Sequence, residues 1–298
     1  MGSVRSNWID GAKGIAMLMV IAVHLAQNIS FLPMKVFSFG AMGVQLFFIV
    51  SGYCLCMKLA KMAGAGKVRT IMGRYRRLAP WYAVGIAVYF IWHWMVGDAQ
   101  ALGNYTLCNV AVNILMVNTF VPSAQNSIVP GGWSISCIAL FSFLFPFFLS
   151  ASGRVRFKVL FAISAVGLAT TTAGYLFFGW ARQYAYCSLF NQFVVFVIGV
   201  AYFVARPRMA LNVKTWLAFA LCAGLLISAA LCVLLDGENS ILYRHILVSG
   251  SFCFMLLLLE RFRESIPHWL SWVGRHSYEI FILHLVAIWA TVRIIMQA

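Results

Sequence analysis

The side chain with the most chemistry to offer is a histidine inside a long apolar run. His24 lies in the run from about residue 15 to residue 32. An ionisable group within a bilayer is costly, so each one is a functional candidate. Imidazole exchanges protons near neutral pH, so it can serve as a general base or carry a transferred group. Lys13 precedes His24 by 11 residues, which on a helix is about 16 Å and about three turns. The two therefore share a helix face, with Lys13 at the inner surface and His24 near mid-bilayer. Gln27 and Asn28, at i+3 and i+4, extend that face into a polar stripe. The stripe faces a cavity in a functional reading and hydrogen-bonds a neighbouring helix in a structural one. Spacing alone leaves both open.

Two further groups draw notice. His284 follows Arg275 by nine residues, about 13 Å along a helix, which brings a second imidazole to a depth comparable with His24. In the most basic stretch, Lys58 to Arg77, Arg74 and Arg77 stand at i, i+3 and share a face if the segment is helical. Two guanidiniums so placed can hold phosphate oxygens, although such a cluster also serves to orient a membrane protein. His93, beside Trp92 and Trp94 near a run end, reads as an interfacial residue.

Acids are scarce. Asp10, Asp98, Asp236, Glu238, Glu260 and Glu264 fall at or beyond run ends, and Glu279 enters the start of one. A Ser-His-Asp triad or a carboxylate pair within the membrane is thus not expected. The eight cysteines show no metal-ligand spacing and read as small hydrophobes, and no phosphate-cradling glycine loop is present.

The elements that position these residues follow from composition. The chain has 298 residues, 63% hydrophobic and 10% charged, with a mean hydropathy of +0.89. Soluble domains carry about 25% charged residues. Spanning about 30 Å of hydrocarbon takes about 20 apolar residues, which leaves room for roughly ten helices and no separate soluble domain. Apolar runs lie near 15–32, 37–57, 79–96, 106–121, 133–150, 158–179, 187–205, 215–235, 241–259 and 277–296. Each is far longer than a barrel strand and lacks period-two alternation, so the expectation is an all-α bundle forming one domain over residues 1–298. The first run follows Lys13 without a clear cleavage site and reads as a permanent span.

A formal charge of +15 could suggest nucleic acid, but the basic residues collect in short stretches between apolar runs, as orientation signals do. The run at 106–121, with Asn109, Asn113 and Asn118, is the weakest span. If it does not cross, all 22 basic residues but Lys35, Arg182, Arg244 and Arg293 fall inside. That includes Arg5 and the stretch from Arg154 to Lys158, and Ala298 then lies outside. If the run crosses, the asymmetry nearly vanishes. The positive-inside rule therefore favours nine crossings over ten, with residues 106–121 re-entrant or lying on the outer face and the N-terminus cytoplasmic.

The residues also fall into an ordered series. Asp10-Gly11-Ala12-Lys13-Gly14 precedes His24, Gly43 to Gly52 reads GVQLFFIVSG, and Arg74 to Pro80 reads RYRRLAP. Gly131-Gly132-Trp133-Ser134, Pro146 and Ser277-Tyr278 with His284 follow. The series resembles the membrane-bound acyltransferase family 3, whose members transfer acyl groups, mostly acetyl, to sugars of bacterial surface polysaccharides. The resemblance runs over nearly the whole chain. It departs from the family pattern at Lys13, where arginine is usual, and at Gln45, where aspartate is common. Ile138 and Ser142 stand where glutamate and tyrosine are frequent.

The resemblance implies a bacterial inner-membrane enzyme using cytoplasmic acyl-CoA, usually acetyl-CoA, as donor and a sugar or lipid-linked glycan as acceptor. His24 and Lys13 are then the catalytic candidates, and Arg74 and Arg77 hold donor phosphates. Asp10, Gln27, Gln45, Ser51, Trp133, Tyr278 and His284 are further candidates. A metal, a tightly bound cofactor and a nucleic-acid partner are not expected; membrane lipids are. Two other readings fit the same residues: a transporter or channel lined by the polar stripe, and an acyltransferase fold that has lost its activity.

Overall fold

The computed structural model describes residues 7–29, 38–60, 66–148 and 155–297. They form α1 (Asn7–Asn28), α2 (Gly43–Ala60), α3 (Gly66–Val96), α4 (Ala99–Leu102), α5 (Leu107–Ile114), α6 (Gly132–Leu144), α7 (Phe157–Phe177), α8 (Arg182–Cys187), α9 (Leu189–Asn212), α10 (Thr215–Asp236), α11 (Ile241–Arg261), α12 (His268–Arg275) and α13 (Ser277–Gln297), with short 3-10 turns between several of them. Arg5, Lys35, Lys61, Arg154 and Ala298, used above to orient the chain, lie outside the described residues.

Among the described residues, seven helical stretches are long and apolar enough to cross a membrane. They are Asn7–Asn28, Phe39–Leu59, Phe157–Phe177, Arg182–Asn212, Thr215–Asp236, Leu242–Arg261 and Ser277–Ile295. The chain is thus a polytopic transmembrane helix bundle. The count is lower than the nine to ten expected from apolar runs, for reasons that differ by segment. The α6 helix has 13 residues, about 20 Å, and reaches the shortest usual length of a span, about 17 residues, only with the 3-10 turn that carries it on to Phe148. The 31-residue α3 is long enough, but Arg74, Arg76 and Arg77 occupy its first half. Its second half dilutes apolar residues with Trp81, Tyr82, Tyr89, Trp92, His93 and Trp94.

Residues 106–121 do not form one helix. Thr106 caps α5 by accepting from the Asn109 N–H at 3.2 Å, and the helix ends after eight residues, about 12 Å. Met116 then takes a positive φ of 55° and two 3-10 turns follow. Irregular backbone at membrane depth survives only where its polar groups are bonded inside the protein. Asparagines do that here. Tyr82 donates to Asn113 Oδ1 at 2.8 Å, Asn118 Nδ2 donates to the same oxygen at 3.1 Å and to the Gln125 carbonyl at 3.2 Å, and Gln125 Nε2 donates to the Thr119 carbonyl at 3.1 Å. The residues that weaken this run as a span are those that hold it together as a fold.

The chain divides into two compact units, one of Met1–Val50 with Ala201–Ala298 and the other of Ser51–Val200. In the first, α10 and α11 form a hairpin in which Ser251 donates to the Cys222 carbonyl at 3.0 Å. Only 11% of the most apolar stretch of α10 is buried, and Trp216, Phe219, Leu234 and Leu235 are exposed. Such a surface suits lipid and would be untenable in water. Arg206, on α9, pairs with Glu260 through two nitrogens and lies over the Trp8 ring at 5.9 Å. Arg261 donates to the carbonyls of Ala210 and Val213, which closes the end of α9.

Candidate active site

In the first unit α1 is gripped along its opening turns by α12. Both helices are small where they meet: a Cβ on Gly274 would lie 1.7 Å from the Asp10 carbonyl oxygen, and one on Gly14 2.3 Å from the Leu270 carbonyl oxygen. Ser271 adds a hydrogen bond to Asn7. The glycines around Lys13 are therefore explained by close packing, which leaves Lys13 as the motif's chemical member. α12 buries Ser271 and Gly274 and exposes Trp269 and Trp272. Indole rings on the outside of a short amphipathic helix favour the headgroup level, which sets the start of α1 there. Lys13 is half-buried and its Nζ lies 3.6 Å from Oδ1 of the buried Asp10. His24, three turns on, is about 16 Å further along the helix.

His24 is half-buried, with Nδ1 2.7 Å from Gln27 Oε1. An amide oxygen only accepts, so Nδ1 carries the proton and Nε2 keeps a free lone pair. Asn28 turns back to the helix and donates to the His24 carbonyl at 2.8 Å, so of the two stripe residues Gln27 alone touches the imidazole. The last long helix brings the second imidazole to the first: the rings of His24 and His284 lie 5.2 Å apart, tilted by 43°. His284 is 6% exposed. Its other ring neighbour is Phe281, at 5.7 Å, which packs edge-on against Phe47. Gln45 is wholly buried on α2, and Tyr278 is half-buried at the start of α13.

In the second unit Arg74 and Arg77 lie one turn apart on α3. Arg74 is half-buried and donates to Ser142 Oγ on α6 at 2.8 Å, whereas Arg77 is exposed. Beside Arg74 is a cavity of about 250 Å³ lined by Tyr75, Leu78, Met116, Ser142 and Phe143 among others. Ser142 is thus the residue that accepts from the guanidinium. Ser51 is half-buried on α2, and Trp133 is buried at the start of α6 with its ring edge-on to Tyr186 at 5.6 Å.

Sequence reasoning passed over two features. His245 is wholly buried in α11, and the signal for it was a histidine four residues into an apolar run. The Arg206–Glu260 pair joins a residue read as an orientation charge to an acid read as lying at a run end; nothing in their spacing of 54 residues points to it.

An all-helical integral membrane protein with two imidazoles in contact on its first and last long helices defines the class. The match to known families makes it specific: residues 6–296 fit the model of the acyltransferase domain of family 3, and the chain belongs to that family of membrane acyltransferases. Neither the curated proteins nor the solved structures compared with the chain give a match.

Proposed function

We propose that this acyltransferase moves an acyl group, acetyl in the simplest case, from cytoplasmic acyl-CoA to a hydroxyl of a sugar in a surface polysaccharide or lipid-linked glycan. Its setting is the bacterial cytoplasmic membrane. The observation that carries the reading is the Gln27–His24 hydrogen bond, which leaves Nε2 unprotonated on the α1 face that also bears Lys13. Nε2 takes the acceptor's hydroxyl proton as the oxygen bonds to the thioester carbonyl carbon. The carbon–sulfur bond breaks, and the departing coenzyme A thiolate recovers the proton. Lys13 provides positive charge on that face, balanced in the resting protein by Asp10. The test is transfer of radiolabel from acetyl-CoA to a sugar acceptor by purified protein in detergent. Label that stays on the donor, with donor binding intact, would leave an acyltransferase fold without activity.

Arg74 and Arg77 are assigned to the donor's phosphates. A charge-assisted hydrogen bond contributes about 1.5–3 kcal/mol, so Arg77→Ala is expected to weaken acetyl-CoA binding about tenfold or more. Titration of the purified variant with acetyl-CoA checks this. Unchanged affinity would reduce Arg77 to an orientation charge. Arg74→Ala is expected to lose at least as much, because it also frees Ser142.

In this reading the chain crosses nine times. Support comes from the basic-residue asymmetry and from the order of contacts at α1. Gly274 lies against Asp10 and, further along the chain, His284 lies against His24, so α1 and α13 run the same way. Two spans with the same direction are the first and last of an odd number. Single cysteines at 156 and 298, in a background lacking the eight native ones, are expected to be closed and open respectively to an impermeant thiol reagent in intact cells. Labelling at 156 but not at 298 would overturn the nine crossings and restore ten, and equal labelling would overturn the odd number of crossings between the two positions.

A further inference from the structure

The imidazole of His284 is placed for more than packing. Its Nδ1 lies 2.7 Å from the Phe281 carbonyl oxygen, an acceptor only, so Nδ1 carries the proton and Nε2 keeps its lone pair. That Nε2 is buried and has no hydrogen-bond partner among the described residues. Buried polar atoms are nearly always bonded, and the exceptions gather where a group has chemistry still to do. Around it are the rings of Phe281 and His24. Among the described residues, His24 is also the titratable side chain whose ring lies against it, at 5.2 Å between centroids.

Both imidazoles thus rest with Nδ1 engaged by an oxygen and Nε2 unprotonated. Two lone pairs have nothing to exchange. Once one Nε2 is protonated, the other becomes the acceptor that lacked a donor. We propose that His284 is the proton-sharing partner of His24: the proton that His24 Nε2 removes from the acceptor hydroxyl is shared with His284 Nε2 until the coenzyme A thiolate takes it. This rests on the acyl-transfer reading above. No bond beyond those of the transfer forms or breaks, and the proton starts on the acceptor oxygen and ends on the thiol. Phe281 holds the ring by its carbonyl, as Gln27 holds that of His24, so each imidazole is restricted to the tautomer the exchange requires.

Glutamine in place of His284 keeps a hydrogen-bonding side chain of similar length but cannot carry a proton, which separates sharing from mere positioning. His284→Gln is expected to lower kcat by about 10²-fold, the low end of general acid–base assistance, with acetyl-CoA affinity and acceptor KM unchanged. Added imidazole is expected to restore part of the rate to His284→Ala. In the His24→Asn background, His284→Gln is expected to cost nothing further, since two residues acting as a unit are non-additive. Full turnover by His284→Gln would overturn the proposal, as would equal losses in both backgrounds. A readout free of turnover is the ¹⁵N spectrum of the histidines in detergent, where the signals of His24 and His284 are expected to move together in one protonation step. A His24 signal that titrates identically in wild type and His284→Gln would overturn the sharing even if the wild type proved to transfer nothing, an outcome that by itself would count against the acyl-transfer reading alone.

Discussion

His24→Asn is expected to give a protein that inserts, purifies and binds acetyl-CoA, yet transfers acyl groups about 10²- to 10⁴-fold more slowly, the range lost with general acid–base assistance. The fold should tolerate the change. A polar contact between membrane helices is worth about 0.6 kcal/mol on average, and the hydrogen bonds around His24 are local to α1: Gln27 to its ring and Asn28 to its carbonyl. Asparagine preserves a polar side chain of comparable reach without a basic nitrogen. Donor binding is assigned to residues of the other compact unit, Arg74 and Arg77, so affinity and turnover should separate. Measured together, retained binding with lost transfer supports the base. Near-normal transfer would remove His24 from the mechanism, and a variant that aggregates would return it to a packing role. If the acyl group rides on Nε2 instead, the wild-type protein incubated with labelled donor alone will carry label through denaturation.

Gly274→Ala carries the second large effect, on stability. A methyl group there would sit 1.7 Å from the Asp10 carbonyl oxygen, 2.6 Å from its carbon and 2.9 Å from the Gly14 nitrogen, all backbone atoms that cannot swing aside. α12 must then lift off α1, and the turn that bears Asp10 and Lys13 must shift with it. Overpacking a well-filled contact costs about 1–3 kcal/mol, and with backbone on both sides the upper end is expected. Gly224, inside α10, is the control, since nothing lies within 4 Å of its added Cβ. Gly224→Ala should be neutral or gain up to about 1 kcal/mol from helix propensity. Thermal unfolding in detergent distinguishes them. Equal melting temperatures for the two variants would mean that the α1–α12 contact is looser than its geometry indicates.

The parts of the site that could be read in the sequence are those set by the helix period alone. Lys13, His24 and Gln27 lie on one element, so 3.6 residues per turn was enough to place them together, and the i, i+3 spacing of Arg74 and Arg77 was legible for the same reason. The contact of His284 with His24 was not, because 260 positions separate them and equal depth does not choose a neighbour. Membrane character followed from composition, whereas the number of spans did not. An apolar run measures solubility in lipid; α5 shows that such a run can end early when asparagines and a cap offer the backbone another set of hydrogen bonds, and α6 that it can tighten into a 3-10 turn around Pro146. The glycines of the opening motif were visible as a pattern, but only their partner on α12 gives the reason for them.

The meeting of α1 with α12 and α13 also bears on how the protein is made. Asp10 emerges from the ribosome some 264 residues before Gly274, and at about 5–20 residues per second the first helix waits in the bilayer for tens of seconds before its proper neighbour exists. Throughout that interval its small-residue notch and its half-matched Lys13 are open to lipid, to other nascent helices and to whatever insertase or protease is at hand. The pair of imidazoles is thus completed last, and a chain released early is left with an unfilled groove by which quality control can recognise it.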